Sequence, residues 1–356
     1  MELLDAGGAS SVSRKSEVLA LAPAIPMKLV DPLDAGVAPL TSGTDWGVAA
    51  VGADTSPFSG DGIVAAVLDT GIDADHPAFK GVNLIRRNFT DDPADGDATG
   101  HGTHCAGTIF GRDVEGVRIG VARGVKKALI GKVLGRGGGR SDQIVRAIQW
   151  AVSEGANVIS MSLGMDFPAY QKRLVEVKSL PPELATSRAL EGYRLNVLLF
   201  ERLAEFVSAQ GAFMQAVLLI GAAGNDSQTD RNPEFKIAAN PPAVCDGFLS
   251  VAAVGRSPDG LVRAPFSNSG ALLAGPGVEI TSARAGGGLV ALNGTSMATP
   301  HVAGVAALWA QKLTAIGALN PKIWSSRLVG SATTAGLAPG FDPSDLGSGL
   351  VQAPQS

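Results

Sequence analysis

Cysteine is scarce in this chain: Cys105 and Cys245 are the two thiols in 356 residues. That is too few for a disulfide framework and suits a reducing compartment. No apolar run reaches the length of a membrane span, the longest lying near Val302 to Ala310. A net charge of −4 gives no reason to expect nucleic acid or an anionic membrane as a partner. The opening Met1-Glu2-Leu3-Leu4-Asp5-Ala6-Gly7-Gly8 has neither a basic region nor an apolar core behind it. No secretory signal is therefore legible, and a cytoplasmic location is expected, with secretion open for a trimmed sequence. Histidine is scarce too. All four, His76, His101, His104 and His301, fall in glycine-rich, motif-like segments.

What the chain has is 45% hydrophobic residues and 46 glycines, a composition for a large core with many tight turns. Its most informative stretch is Asn293-Gly294-Thr295-Ser296-Met297-Ala298-Thr299-Pro300-His301, followed by the apolar Val302 to Trp309. The pattern predicts a buried helix with Ser296 at its start, where unpaired N–H groups and partial positive charge stabilise an oxyanion. A lone Gly-Thr-Ser would read as a helix cap.

A serine hydroxyl needs a base, and the base needs an orienting group. His101 and His104 lie in Gly100-His101-Gly102-Thr103-His104-Cys105-Ala106-Gly107, where small residues leave room for an imidazole. Gly62 to Leu68 reads as a buried strand ending in Asp69-Thr70-Gly71, and the carboxyl end of a parallel strand is a usual site position. The order Asp69, His101, Ser296 is one of those found in Ser-His-Asp hydrolases.

Three blocks together resemble the subtilases, the subtilisin-like serine peptidases of peptidase family S8. They are Val67-Leu68-Asp69-Thr70-Gly71-Ile72-Asp73 with His76-Pro77, His101-Gly102-Thr103-His104-Cys105-Ala106-Gly107, and Gly294-Thr295-Ser296-Met297-Ala298-Thr299-Pro300. The resemblance implies a three-layer subtilisin-like α/β fold, a mainly parallel central sheet flanked by helices. It implies catalytic Asp69, His101 and Ser296, with His104 structural and Cys105 packed beneath His101. Gly221-Ala222-Ala223-Gly224-Asn225 resembles the oxyanion-hole segment, with Asn225 as donor. Ser162, Leu163 and Gly164 resemble one substrate-binding edge, with Gly224 nearby and Gly137 and Gly138 on the opposite edge. Arg136 and Arg140 beside those glycines either favour acidic substrates or belong to a flexible loop. The implied activity is endopeptidase action on polypeptides through an acyl-enzyme. The alternative is a peptide ligase or macrocyclase using the same triad.

Residues 1–45 read as an N-terminal tail, and Glu17 to Pro26 resembles the end of an inhibitory propeptide. The chain's own N-terminal segment is therefore a candidate partner, lying along the cleft or released by a cut between residues 30 and 45. The catalytic domain is expected over 46–352, built of βαβ units. A helical insertion at 166–212 is expected to shape the primary specificity pocket or to form a remote pad. No cofactor is required for the chemistry. Structural calcium is an open expectation: Ala78 after His76-Pro77 offers no ligand, whereas Asp113 and Glu115 are either ligands or a solvated turn. A zinc hydrolase using His101, His104 and Cys105 is disfavoured by the missing His-Glu-x-x-His. Competent residues at all four catalytic positions disfavour an inactive binding module.

Overall fold

The computed structural model describes residues 8, 11, 15, 17–97, 99–211 and 214–356. Parts of the N-terminal tail, including Met1 to Gly7, and position 212 of the expected insertion lie outside these.

The frame is an eight-stranded sheet in the order β13 (Gly260–Arg263), β12 (Phe248–Ser257), β11 (Leu218–Ala222), β9 (Val158–Met161), β4 (Val64–Asp69), β7 (Lys127–Lys132), β5 (Asn83–Asn88), with β14 (Leu273–Pro276) also paired to β12. Only the β12–β13 pairing is antiparallel. Val64-Ala65-Ala66-Val67-Leu68 is apolar without alternation because both faces are covered. Ala65 and Val67 enter one core cluster, Ala66 and Leu68 the other. On the first face lie α2 (His101–Phe110) and α6 (Thr295–Ala315). On the second lie α3 (Ser141–Ser153) and α5 (Pro182–Gln210). This is the expected three-layer α/β arrangement.

The remaining helices are α1 (Trp46–Ala50), α4 (Phe167–Glu176), α7 (Pro321–Gly330) and α8 (Pro343–Leu346). Short strands β3 (Gly43–Thr44) and β6 (Val117–Arg118) pair in parallel. Three-stranded sheets form around the N-terminal segment. In one, β1 (Pro26–Leu29) lies antiparallel between β10 (Leu163–Met165) and β8 (Gly139–Arg140). In the other, β2 (Leu33–Asp34) pairs with β16 (Leu289–Asn293), itself paired with β15 (Ile280–Ala283).

The segment expected as a helical insertion folds as two helices, α4 and α5, and the register shows which way it leaves the serine. Leu29 faces Leu163, Lys28 faces Gly164 and Met27 faces Met165, so walking forward along β10 leads away from Ser296. The chain reaches α4 at Asp166, whose N–H donates to Pro26 O at 3.0 Å.

Candidate active site

Asp69 is the last residue of β4, and His101 opens α2. Both side chains are 1% exposed, and His101 Nδ1 lies 2.7 Å from Asp69 Oδ1, to which it donates. Gly102 makes this approach feasible, since a Cβ there would strike the Gly71 carbonyl and crowd Asp69 Cβ. Burial opposes a charged imidazole at His101, yet the adjacent Asp69 carboxylate prevails and holds its pKa well above 6.5, with Cys105 adding to the effect. The other ring nitrogen, Nε2, is buried without a partner.

Ser296 occupies the first turn of α6 and is fully buried. Pro300 lacks the N–H that would bond the carbonyl four residues back. The Ser296 carbonyl instead accepts from Cys105 Sγ at 3.3 Å and Ser162 Oγ at 3.3 Å. One proline thus frees an acceptor that locks the Ser296 backbone to the helix of His101 and to the strand edge. Burial pushes the Cys105 thiol pKa up, so this sulfur stays a neutral donor.

Asn225 follows β11 at Gly224, where a φ of +117° and the nearby Asn240 and Asn268 amides exclude a side chain. Its Oδ1 accepts from Thr295 N and Thr295 Oγ1, both at 2.9 Å. The amide nitrogen is thereby turned into the cleft, where it donates to Asp31 O at 2.9 Å. Thr295 is a site residue that sequence reading missed, although it lies inside the serine motif.

The cleft is filled by the chain's own N-terminal segment. Val30 N donates to Ser162 O at 3.3 Å, and Ser296 Oγ donates to Val30 O at 2.8 Å. Upstream, β1 completes the β10–β1–β8 sheet; downstream, β2 adds to β16. Ile25 and Met27 are buried against the second core, each contributing about 1.5–3 kcal/mol of apolar burial. Lys28 Nζ pairs with Asp226 Oδ1 at 3.1 Å.

The expected substrate-edge residues divide. Ser162, Leu163 and Gly164 line the segment directly, and Gly138 comes close to Met27 O, where a Cβ would stand 2.8 Å away. Gly137 has open space around its Cα. Arg140 is engaged by Asp142 and Asp91 rather than aimed along the cleft. His104 Nε2 meets Ile280 O at 3.1 Å, and burial lowers its pKa to about 3. His301 Nδ1 meets Met297 O at 2.8 Å, with burial lowering its pKa to about 4. His76 caps a turn through Ala78 N.

Asp113 pairs with Arg123 at 2.8 and 2.9 Å, and His104 Nε2 is taken by the Ile280 carbonyl. The one group of three metal-capable side chains among the described residues is Asp69, His101 and Cys105, the site itself.

Comparison with known proteins agrees with this geometry. The profile of the subtilase family matches residues 60–349. A "Subtilisin-like protease 1" of Trichophyton rubrum is 33% identical over 280 residues, covering 74% of this chain and 46% of the relative. Its namesake in Arthroderma gypseum is 34% identical over 293 residues, covering 79% and 50%. The chain spans about half the length of the curated relatives it matches. With the match running from before Asp69 to beyond Ser296, and the three-layer fold around both, the chain belongs to the subtilase family.

Proposed function

We propose that this chain is a serine endopeptidase in which Asp69, His101 and Ser296 form the catalytic triad and Asn225 donates to the oxyanion. The observation that carries this reading is a peptide carbonyl, that of Val30, held 2.8 Å from Ser296 Oγ in a cleft that also buries the Asp69–His101 pair. Ser296 Oγ attacks the scissile carbonyl carbon as His101 Nε2 takes its proton. The carbonyl π bond opens to an oxyanion received by Asn225 Nδ2 and the N–H groups at the start of α6. Collapse breaks the C–N bond, and His101 returns the proton to the leaving amine. Water then repeats the sequence on the ester, releasing the acid and restoring Ser296. Asp69 holds the ring tautomer and stabilises the imidazolium.

The N-terminal segment acts in this reading as an internal, substrate-like block. Asn225 Nδ2 is taken by Asp31 O, one residue beyond the carbonyl that faces Ser296, and Ser296 Oγ donates to that carbonyl instead of to His101. The segment therefore occupies the site without presenting Val30 for attack. Ser296→Ala should keep the fold, checked by circular dichroism, and abolish hydrolysis of casein. Near-wild-type turnover by that variant would overturn the assignment.

A further inference from the structure

Counted back from the Val30–Asp31 bond, Val30 is the first residue and Met27 the fourth, but the contacts continue to Pro23, the eighth. Ile25, the sixth, is held at both main-chain groups by Ser141 at the start of α3: its N–H donates to the Ser141 hydroxyl oxygen at 3.2 Å, and its carbonyl accepts from Ser141 N at 3.0 Å. Its side chain is 2% exposed, in the cluster that includes Phe200 and Leu203 of α5. The Pro23 carbonyl accepts from Asn196 Nδ2 at 2.9 Å. Asn196 also lies on α5, is wholly buried, and donates to Gly192 O at 2.9 Å. Its Oδ1 has no partner. A buried amide with an unpaired oxygen is costly unless it serves a ligand. Proline at position 23 has no N–H to offer it.

We propose that the α4–α5 insertion, with Ser141, is an extended acyl-side binding site that recognises the sixth and eighth residues upstream of the cleaved bond. Its ligand is an extended polypeptide with an apolar sixth residue, read by the pocket that holds Ile25, and a main-chain carbonyl at the eighth, read by Asn196. The N-terminal segment occupies this site in the resting chain, and a substrate competing for the cleft gains the same contacts. This rests on the peptidase reading above.

The test compares two fluorogenic peptides on the full chain, Pro-Ala-Ile-Pro-Met-Lys-Leu-Val and Met-Lys-Leu-Val, each with a leaving group after valine. The ratio of their kcat/KM values cancels the fraction of molecules with an open cleft. The long peptide should be preferred by about tenfold or more, in line with one hydrogen bond and one buried side chain. Asn196→Ala and an Ile-to-Asp change at the sixth residue should each collapse the ratio severalfold. Equal kcat/KM values for both peptides in wild type would overturn the extended site while leaving the peptidase reading intact. If neither peptide were cleaved by the full chain or by its Met27→Ala variant, in which the block is loosened, the peptidase reading would fail instead. Hydrogen exchange in full-length Ser296→Ala then judges the site alone. Adding Asn196→Ala should speed exchange across residues 24–28 by about fivefold or more, and unchanged exchange would overturn it.

Discussion

Ser296 Oγ donates to the carbonyl of Val30 at 2.8 Å, so the hydroxyl proton points at the peptide rather than at His101. In this resting arrangement the serine is a hydrogen-bond donor to the segment that fills the cleft. Chemistry requires that bond to break and the hydroxyl to turn toward His101 Nε2, which has no partner.

The strength of the block should follow its anchors. Met27 is 2% exposed, and replacing a buried methionine by a small residue costs about 2–5 kcal/mol. Met27→Ala in the full chain should raise the initial rate on a short peptide by at least about tenfold. The Lys28–Asp226 pair is more than a third exposed on both sides, where an ion pair contributes about 0–1 kcal/mol. Lys28→Glu should raise the rate only severalfold, and less in high salt. The reverse ranking would show that the block is held by charge.

Self-cleavage at Val30–Asp31 should be slow and first-order, because the segment is bound within its own molecule but with Asp31 O in the place of the scissile oxygen. Intact-mass analysis over time should show a product beginning at Asp31 in wild type and none in Ser296→Ala. A rate proportional to protein concentration would mean that one molecule cuts another.

Asn225→Ala should lower kcat by about 10²–10³, the loss measured for such a donor in subtilisin, with KM little changed. Thr295→Val should produce part of this loss, because it removes one of the two donors that turn the Asn225 amide into the cleft. His101→Ala should cost several orders of magnitude in kcat, and His104→Ala should act mainly through stability. The pKa of His101 is raised by Asp69, so activity should climb with pH through a value above 6.5, as the imidazole becomes the free base. An acid limb centred below 6.5 would contradict the buried ion pair.

The proposed triad stood out in the sequence because the chemistry proposed for it demands particular residue types at the ends of particular elements. Asp69 ends a strand, and His101 and Ser296 each open a glycine-flanked helix. Position along an element is a local property, and short motifs carry it. Thr295, the Ser296 carbonyl that Pro300 frees, and Asn196 act through contacts with residues 70, 134 and 173 positions away in the chain, which no local pattern encodes. The same holds for the insertion. Its flanking motifs lie at the cleft, but only the antiparallel register of β1 on β10 shows toward which end the chain departs.

Acid stability should be set by the two buried neutral histidines, opposed in part by the buried carboxyl of Asp45. The pKa values of His104 and His301 are lowered by burial to about 3 and about 4 in the folded chain, against 6.5 when unfolded. A histidine with a depressed folded pKa leaves the native state with fewer bound protons than the unfolded one, so stability rises with pH across that window. It is fully present above 6.5 and is lost as pH falls toward 4. Near pH 5 the two rings take up almost two protons on unfolding, while Asp45, whose carboxyl is raised by burial to about 6, releases nearly one, which leaves a net slope on the order of 1 kcal/mol per pH unit. His101 is raised rather than lowered, so it is protonated in both states there and contributes nothing to this slope. Urea unfolding of Ser296→Ala, which excludes self-digestion, should therefore show midpoints falling between pH 6 and 4.5. His301→Gln should remove most of the slope, even if the variant is less stable at pH 7, and an unchanged slope would mean that the buried rings are not what senses acid.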